Sequence, residues 1–469
     1  MSNGLEFTLI SDTHYFSKKN FVDGFDRNKK PKHDQLFFSM SEEIVNHTFD
    51  ILCKNDTPDI VLISGDLTYN GEKTSHIEMK NALRKLKHNG KKVYVITATH
   101  DYTSPLMPTY GIDKNGNYVG VESVDRDELL EYYGEFGYND AIAKHESTMS
   151  YVAQLADGYR LFALNDDYGD PNCGFSEELM KWISEQAESA RKDCQYIVAM
   201  THHPLVPPSP LFTAVAKGDM LCDFEFRSKH LCELGVDFIL TGHTHMHNIS
   251  YCNVGNKRFY DISTAALTGF PPYYRQIVLD KDKHKMDIKT VRVDNVDGID
   301  TNSLSLENYI KNLFLGAVSD ALYDAEYDYE KFADFAVGVS VSKGTSRKYK
   351  PVFQRVARFL NRMTFGKVWH FIRFSSGVGK NEISKIYDKK VVPYAIDIAA
   401  NLYKGDGNIP TSSVEYRMTY ALLKKLDRLI APFSKKLNAI GISSISEAVL
   451  PLINRGKNSD SDAVIYFGE

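Results

Sequence analysis

The sequence predicts an α/β layered domain followed by a mainly helical region. Three observations predict it. Short β-rich runs alternate with helical periodicity from Leu5 to about Val293, candidate ligands sit at the ends of several of those runs, and past Val293 the pattern becomes mainly helical. At 469 residues the chain is too long for one ordinary hydrophobic core, so two units are expected, 1–298 and 299–469.

Taken in order, the strand candidates are LEFTLIS, DIVLIS, KVYVITA, YRLFALN, QYIVAM and DFILT. Each is a short run of Val, Ile, Leu, Phe and Tyr bounded by turn or polar residues, as expected of strands buried on both faces. Helices are predicted between them over Ser41–Lys54, over Lys73–Asn89 closed by Gly90, and over Ser176–Lys192 with Ser176 as N-cap. After His245 come RFYDIST, YRQIVLD and KMDIKTVRV, successive strands that predict a second sheet with antiparallel character. The stretch 102–150 is rich in glycine, tyrosine and acids and too long for a simple connection. It reads as a substrate-facing insertion or as a plain surface excursion. Beyond VDNVDGIDTNS, helices are expected over Ser305–Tyr323, Lys350–Met363, Val391–Tyr403 and Ser413–Ile430.

Composition excludes several classes. With 43% hydrophobic and 25% charged residues the chain is that of a folded protein, and no run reaches the ~18 apolar residues a membrane span needs. The opening MSNGLEFTLISDTH lacks a basic segment, a long apolar core and a cleavage site, so export is not expected. Six cysteines without CxxC spacing argue against a zinc knuckle or a disulfide framework and point to a reducing, cytoplasmic setting. The net charge of -5 hides an asymmetry: Lys343–Lys436 carries 20 Lys/Arg against 6 Asp/Glu.

The chemistry lies in five segments that each follow a predicted strand: Asp12-Thr13-His14, Gly65-Asp66, Thr99-His100-Asp101, Thr201-His202-His203-Pro204 and Gly242-His243-Thr244-His245. In an open α/β sheet the ligand crevice lies beyond the carboxyl ends of the strands, so segments far apart in sequence can converge. Imidazole mixed with carboxylate suits Zn, Mn, Fe or Ni better than Mg or Ca, and the lack of thiolate argues against a closed structural zinc site. A carboxylate such as Asp66, if shared, holds two cations ~3.5 to 4 Å apart, a spacing suited to phosphoryl hydrolysis. Singly, each residue has a plainer reading: Asp12 or Asp66 as a helix cap, His202 as a hydrogen-bonded core histidine, His243 and His245 as turn residues.

In this order the segments resemble the calcineurin-like metallophosphoesterase superfamily, whose pattern runs DxH, GDxxxxG, GNH(D/E), an isolated His and GHxH. Here the second block reads Gly65-Asp66-Leu67-Thr68-Tyr69-Asn70-Gly71, and the likeness covers about residues 5 to 295. The resemblance implies an αββα sandwich of two mixed sheets and two divalent metal ions. Asp12, His14 and His245 are implied on the first, His202 and His243 on the second, and Asp66 between them. It implies attack by a bridging hydroxide, with His100 as general acid and Asp101 orienting its ring. His202 is preferred to His203 because the family's histidine lies two residues before the proline. Thr99 departs from the pattern, standing where the family has Asn. A hydroxyl is the poorer ligand, so a weaker second metal site is expected.

The SDTHY opening, the HHPL block and the helical appendage look most similar to bacterial phosphodiesterases of the cyclic-nucleotide type. That implies a phosphoester small molecule, with a cyclic nucleotide as the favoured substrate. A phosphomonoesterase or protein phosphatase of the same fold is the alternative within enzymes. A degenerate metal-binding scaffold is the alternative outside them. The segment 350–374 alternates apolar residues with Arg355, Arg358 and Arg362. It reads as a helix packed on its own domain, with contact to an anionic membrane or polyanion, or docking on the acidic catalytic domain, as the other options. It carries no base-reading motif, which weakens a nucleic-acid role.

Overall fold

The computed structural model describes residues 4–467 except 26, 28–34, 55, 106, 168–172, 210–211, 214–215, 339–342, 373, 431–443 and 455–458. Its strands are β1 (Leu5–Ile10), β2 (Ile60–Ser64), β3 (Lys92–Ile96), β4 (Gly111–Ile112), β5 (Tyr118–Val119), β6 (Ala143–His145), β7 (Ser150–Ala156), β8 (Tyr159–Ala163), β9 (Tyr196–Met200), β10 (Phe238–Thr241), β11 (Asn248–Val254), β12 (Lys257–Ser263), β13 (Tyr273–Asp280), β14 (Lys285–Arg292) and β15 (Ala463–Tyr466). They build a six-stranded sheet ordered β15-β14-β13-β1-β2-β3, a seven-stranded sheet ordered β11-β12-β10-β9-β8-β7-β6, and the hairpin β4-β5.

Alternation along the strands stacks these sheets. On β2, Ile60 and Leu62 face the inter-sheet core with Tyr151, Leu161, Val198 and Leu240, while Val61 and Ile63 face the opposite way. That outer face is covered by α1 (Ser41–Leu52) and α2 (Lys73–His88), through Ile44, Phe49, Met79 and Leu83. The outer face of the second sheet is covered by α3 (Glu177–Lys192) and α4 (Phe224–Glu233), through Leu179, Ile183 and Leu231. The result is the αββα sandwich. Ser176 caps α3 by accepting from Leu179 N, as its sequence predicts.

The strands after His245 are divided between the sheets, against the expectation of one second sheet. β11 and β12 join the seven-stranded sheet, whereas β13 pairs antiparallel with β1 (Phe7↔Ile277) and carries β14 with it. The chain crosses between them beside the β1 terminus, where Leu267 N donates to Ser11 O. The β1 edge away from β2 therefore gains a hydrogen-bonded partner, as buried backbone requires.

The helical region includes α5 (Leu306–Phe314), α6 (Gly316–Tyr327), α7 (Lys350–Asn361), α8 (Phe365–Ile372), α9 (Val391–Lys404) and α10 (Val414–Ile430). The single helix expected over Ser305–Tyr323 is broken at Gly316, a residue that weakens helix interiors. The first piece buries Leu306 and Ile310 on the core beneath α1, and the second buries Ala317, Ala321 and Ala325. Trp369, Tyr394 and Met418 belong to a separate core within the helical region. Two further features tie this region to the sandwich. Tyr403 O accepts from His247 N at 2.8 Å, and β15 pairs with β14 (Asp287↔Val464) and buries Ile465 and Phe467 between the sheets.

The packed-helix reading of 350–374 is met only in part. On α7, Ala357 is buried, but Val352, Val356 and Phe359 are exposed. Arg358 and Arg362 turn to Glu326 of α6 instead of the catalytic rim. Among the described residues no helix is long and apolar enough to cross a membrane.

Candidate metal centre

The loops that follow β1, β2, β9 and β10 meet at one point, and backbone hydrogen bonds extend the strand pairing into them. Asp12 N donates to Gly65 O (3.1 Å), His14 N to Asp66 O (3.0 Å) and Gly242 N to His202 O (3.0 Å). Two glycines permit this approach. A side chain at Gly65 would lie 2.6 Å from the His202 ring, and one at Gly242 would overlap Ser11 and Asp12.

Five of the six candidate ligands hold left-handed backbone conformations: Asp12 (φ 51°), His14 (37°), Asp66 (50°), His243 (62°) and His245 (55°). Such conformations cost on the order of 1 kcal/mol or more per residue and persist only where surrounding structure imposes them. Their concentration on the converging side chains marks a site held for a purpose other than stability.

Asp12, His14, Asp66 and His245 present ligand atoms within 4.8 Å of one another, and so do Asp66, His202 and His243. Asp66 belongs to both groups. Its Oδ2 lies 3.6 Å from His14 Nε2 and 3.2 Å from His202 Nε2, while its Oδ1 accepts from His100 N at 3.1 Å. On the other side, His245 Nε2 stands 3.3 Å from Asp12 Oδ1 and 3.1 Å from His14 Nε2.

The rings are aimed by partners on their far nitrogens. His202 Nδ1 donates to Ser64 O (2.8 Å) and His245 Nδ1 to Gln35 Oε1 (3.2 Å), which leaves each Nε2 lone pair for the centre. Asp166 accepts from Thr201 Oγ1, His202 N and His203 N, and holds His203 Nδ1 at 3.0 Å. His203 packs its ring 3.9 Å from that of His243, outside both ligand groups. Sequence reasoning missed Gln35, Asn70 and Asp166. Asp166 follows a predicted strand in Asn165-Asp166-Asp167, the same signal that marked Asp12 and Asp66, but Gln35 carries no local signal.

Thr99 lies half-buried in a turn closed by Asp101 N donating to Ala98 O. Next to it, His100 Nδ1 donates to Tyr69 O (2.6 Å) and Asn70 Oδ1 (2.9 Å), and its ring stands edge-on to His14 with centroids 4.8 Å apart. Asp101 does not reach that ring, contrary to the expectation. Its carboxylate accepts from Thr68 N (2.8 Å) and Ala98 N (2.9 Å), binding the two loops together, and Tyr69 with Asn70 orients the histidine instead.

Electrostatics favours a bound cation. Burial works against the charge on Asp12, but His14 and His245 outweigh it and hold the carboxyl below its usual range. Burial is likewise overcome at Asp66 by His202, His100 and His14. Burial pulls His14 down to about 4 against the pull of Asp12, and pulls His243 well down with help from His203 and His202. At neutral pH the centre thus offers two anionic carboxylates and neutral imidazoles at His14 and His243, while at His202 burial is overcome by Asp66 and Asp12, which draw its ring upward and favour positive charge there. His14 Nδ1 and His202 Nε2 are buried without a hydrogen-bond partner. Donors of this kind at this spacing fit divalent transition metals.

The family model described as Calcineurin-like phosphoesterase matches residues 5–247. The chain belongs to this family. Calcineurin-like phosphoesterases hydrolyse phosphoric esters and typically use a dinuclear metal centre, for which this chain supplies Asp12, His14, Asp66, His202, His243 and His245 as candidate ligands. Among solved structures, a dimetal phosphatase from Danio rerio is 13% identical with a TM-score of 0.42, covering 61% of this chain and 95% of its own. A purple acid phosphatase from yellow lupin (Lupinus luteus) seeds is 14% identical with a TM-score of 0.40, covering 62% and 52%. No curated protein matches the chain.

Proposed function

We propose that the chain is a cytoplasmic phosphodiesterase acting on a small phosphoester, a cyclic nucleotide being the favoured type. Asp12, His14 and His245 would hold one divalent cation and His202 and His243 a second, with Thr99 beside it and Asp66 shared by both groups. When bound, such a pair of cations would supply positive charge to the phosphoryl oxygens and lower the pKa of a water molecule. His100 would act on the departing side as an imidazolium: Nδ1–H stays committed to Tyr69 and Asn70, the second proton, on Nε2, passes to the leaving oxygen, and the ring is left neutral. Asp101 fixes the turn that carries this histidine. The observation that carries the reading is the position of Asp66 Oδ2 between His14 and His202. Six free cysteines support the reducing compartment, and the separate core around Trp369 supports a second unit inside 299–469, with α5 and β15 of that region packed on the sandwich.

The test is metal content by elemental analysis, with turnover of bis-(p-nitrophenyl) phosphate, p-nitrophenyl phosphate and 3′,5′-cyclic AMP after loading with Mn, Fe, Zn or Ni. Two metals per chain and faster diester than monoester turnover are expected. A reversed ratio assigns a phosphomonoesterase. One metal or none, with no turnover, assigns a scaffold.

A further inference from the structure

The wall beside His100 is aromatic, and the insertion extends it. Tyr69, from the loop after β2, sets its ring edge-on to His14 with centroids 6.2 Å apart. Tyr110 meets Tyr69 edge-on at 6.2 Å, and Tyr118 lies tilted against Tyr110 at 4.1 Å. Exposure rises along this row, from 9% at Tyr69 through half-buried Tyr110 to 70% at Tyr118. The rings therefore lead from the histidines out to solvent.

The row is fixed in place. Tyr110 immediately precedes the β4–β5 hairpin and Tyr118 opens β5; the hairpin bridges to the amino-terminal loop at Phe21↔Ile112, and its Gly116 turn sits beside Phe25. Thr109 Oγ1 donates to Asn70 O at 2.5 Å, and Asn70 is the residue whose side chain holds His100. The insertion is thereby tied to the loop that orients the candidate acid.

A single exposed tyrosine is ordinary. Here Tyr69 is anchored in the core against Phe38, and Tyr110 and Tyr118 continue from it as the accessible part of the row, on the side that the leaving group would occupy if His100 is the acid. Residues 102–150 carry nine acidic and three basic side chains, a balance that repels a long polyanion. A single small ester is thus the better fit than a polynucleotide.

We propose that Tyr110 and Tyr118 bind a planar ring on the leaving group, with the base of one nucleotide as the fitting chemistry. This rests on the phosphoesterase reading, because His100 defines which side the leaving group occupies.

The experiment compares adenosine 5′-phosphate with ribose 5-phosphate, and the methyl diesters of both, on the metal-loaded chain. Release of adenosine or ribose is read, so that the 5′ oxygen is the leaving atom in each case and the pairs differ at C1′, adenine against hydroxyl. Wild type is expected to favour the base-bearing esters by about tenfold or more in kcat/KM, through KM, and Tyr118→Ala to remove most of that preference. Tyr118→Phe keeps it, since stacking needs no hydroxyl, and Tyr251→Ala, at an exposed tyrosine on β11, keeps it as well. Adenosine binding by saturation-transfer NMR on the metal-free chain is expected to fall in Tyr118→Ala alone. Equal turnover with and without the base, or a preference that survives Tyr118→Ala, overturns the inference and leaves the hydrolase reading standing. Adenosine binding that depends on Tyr118, without hydrolysis of any ester, supports the ring site and overturns the hydrolase reading.

Discussion

Asp12, His14, Asp66 and His245 form the denser half of the centre, with two carboxylates and two imidazoles. Asp66, His202 and His243 form the sparser half, with one carboxylate and two imidazoles; Thr99, standing where the family has Asn, is proposed beside it. The halves also differ in how they are held. Gln35 stands behind the denser half's His245, whereas Asp166 gathers four donors from the segment that carries His202. The sparser half is poorer in ligands, and Asp166 braces its loop at His202, whereas Asp12 of the denser half accepts from Ser11 Oγ and His243 N. The half with more charge is expected to fill first.

Asp66→Ala breaks the comparison most severely, because it removes the donor common to both halves. Metal content is expected to fall from two per chain toward zero, and kcat/KM by about three orders of magnitude or more. Asp166→Ala and Gln35→Ala separate the halves. Each is expected to weaken one metal by about 10- to 100-fold, the sparser half for Asp166 and the denser for Gln35, as read by competitive metal titration. Equal loss at both metals in either variant would end the distinction. Thr99→Asn should sharpen it, tightening the second metal by about tenfold, and an unchanged titration would mean that the hydroxyl is no handicap.

The smallest effect lies where the loop after Asp66 enters α2, and it acts on stability. Glu72 is fully buried next to α2, and burial pushes its carboxyl up to about 8. Between its ordinary value of 4.5 and 8 the folded chain holds a proton that the unfolded chain has lost, so stability falls as pH rises through that window. Glu72→Gln removes the dependence. Its melting temperature is expected to match wild type near pH 4.5 and to exceed it by a few degrees above pH 8.

The ligand positions were legible because each lies where a buried hydrophobic run stops, so one-dimensional pattern and three-dimensional convergence coincide at Asp12, Asp66, His202 and His243. Strands such as β2, buried on both faces, were equally plain. β7 and β11 were not, because their pairing depends on neighbours supplied from elsewhere in the chain. The assignment of β13 to β1 followed from which edge stood unpaired, a property that no local run of residues contains. Asp101 differs from what the family resemblance implied: contact with the His100 ring was expected, but the turn sends its carboxylate to Thr68 and Ala98.

The pairing of β15 with β14 bears on how the molecule is made. Asp287 meets Val464 only after the whole helical region has been synthesised. A nascent chain can assemble β1 to β14 early, yet the rim of that sheet stays open until the late strand arrives, and closing so long a loop is slow. Until then the inter-sheet core lacks Ile465 and Phe467, and the growing polypeptide exposes a strand edge of the kind that invites mispairing with its neighbours on the same message.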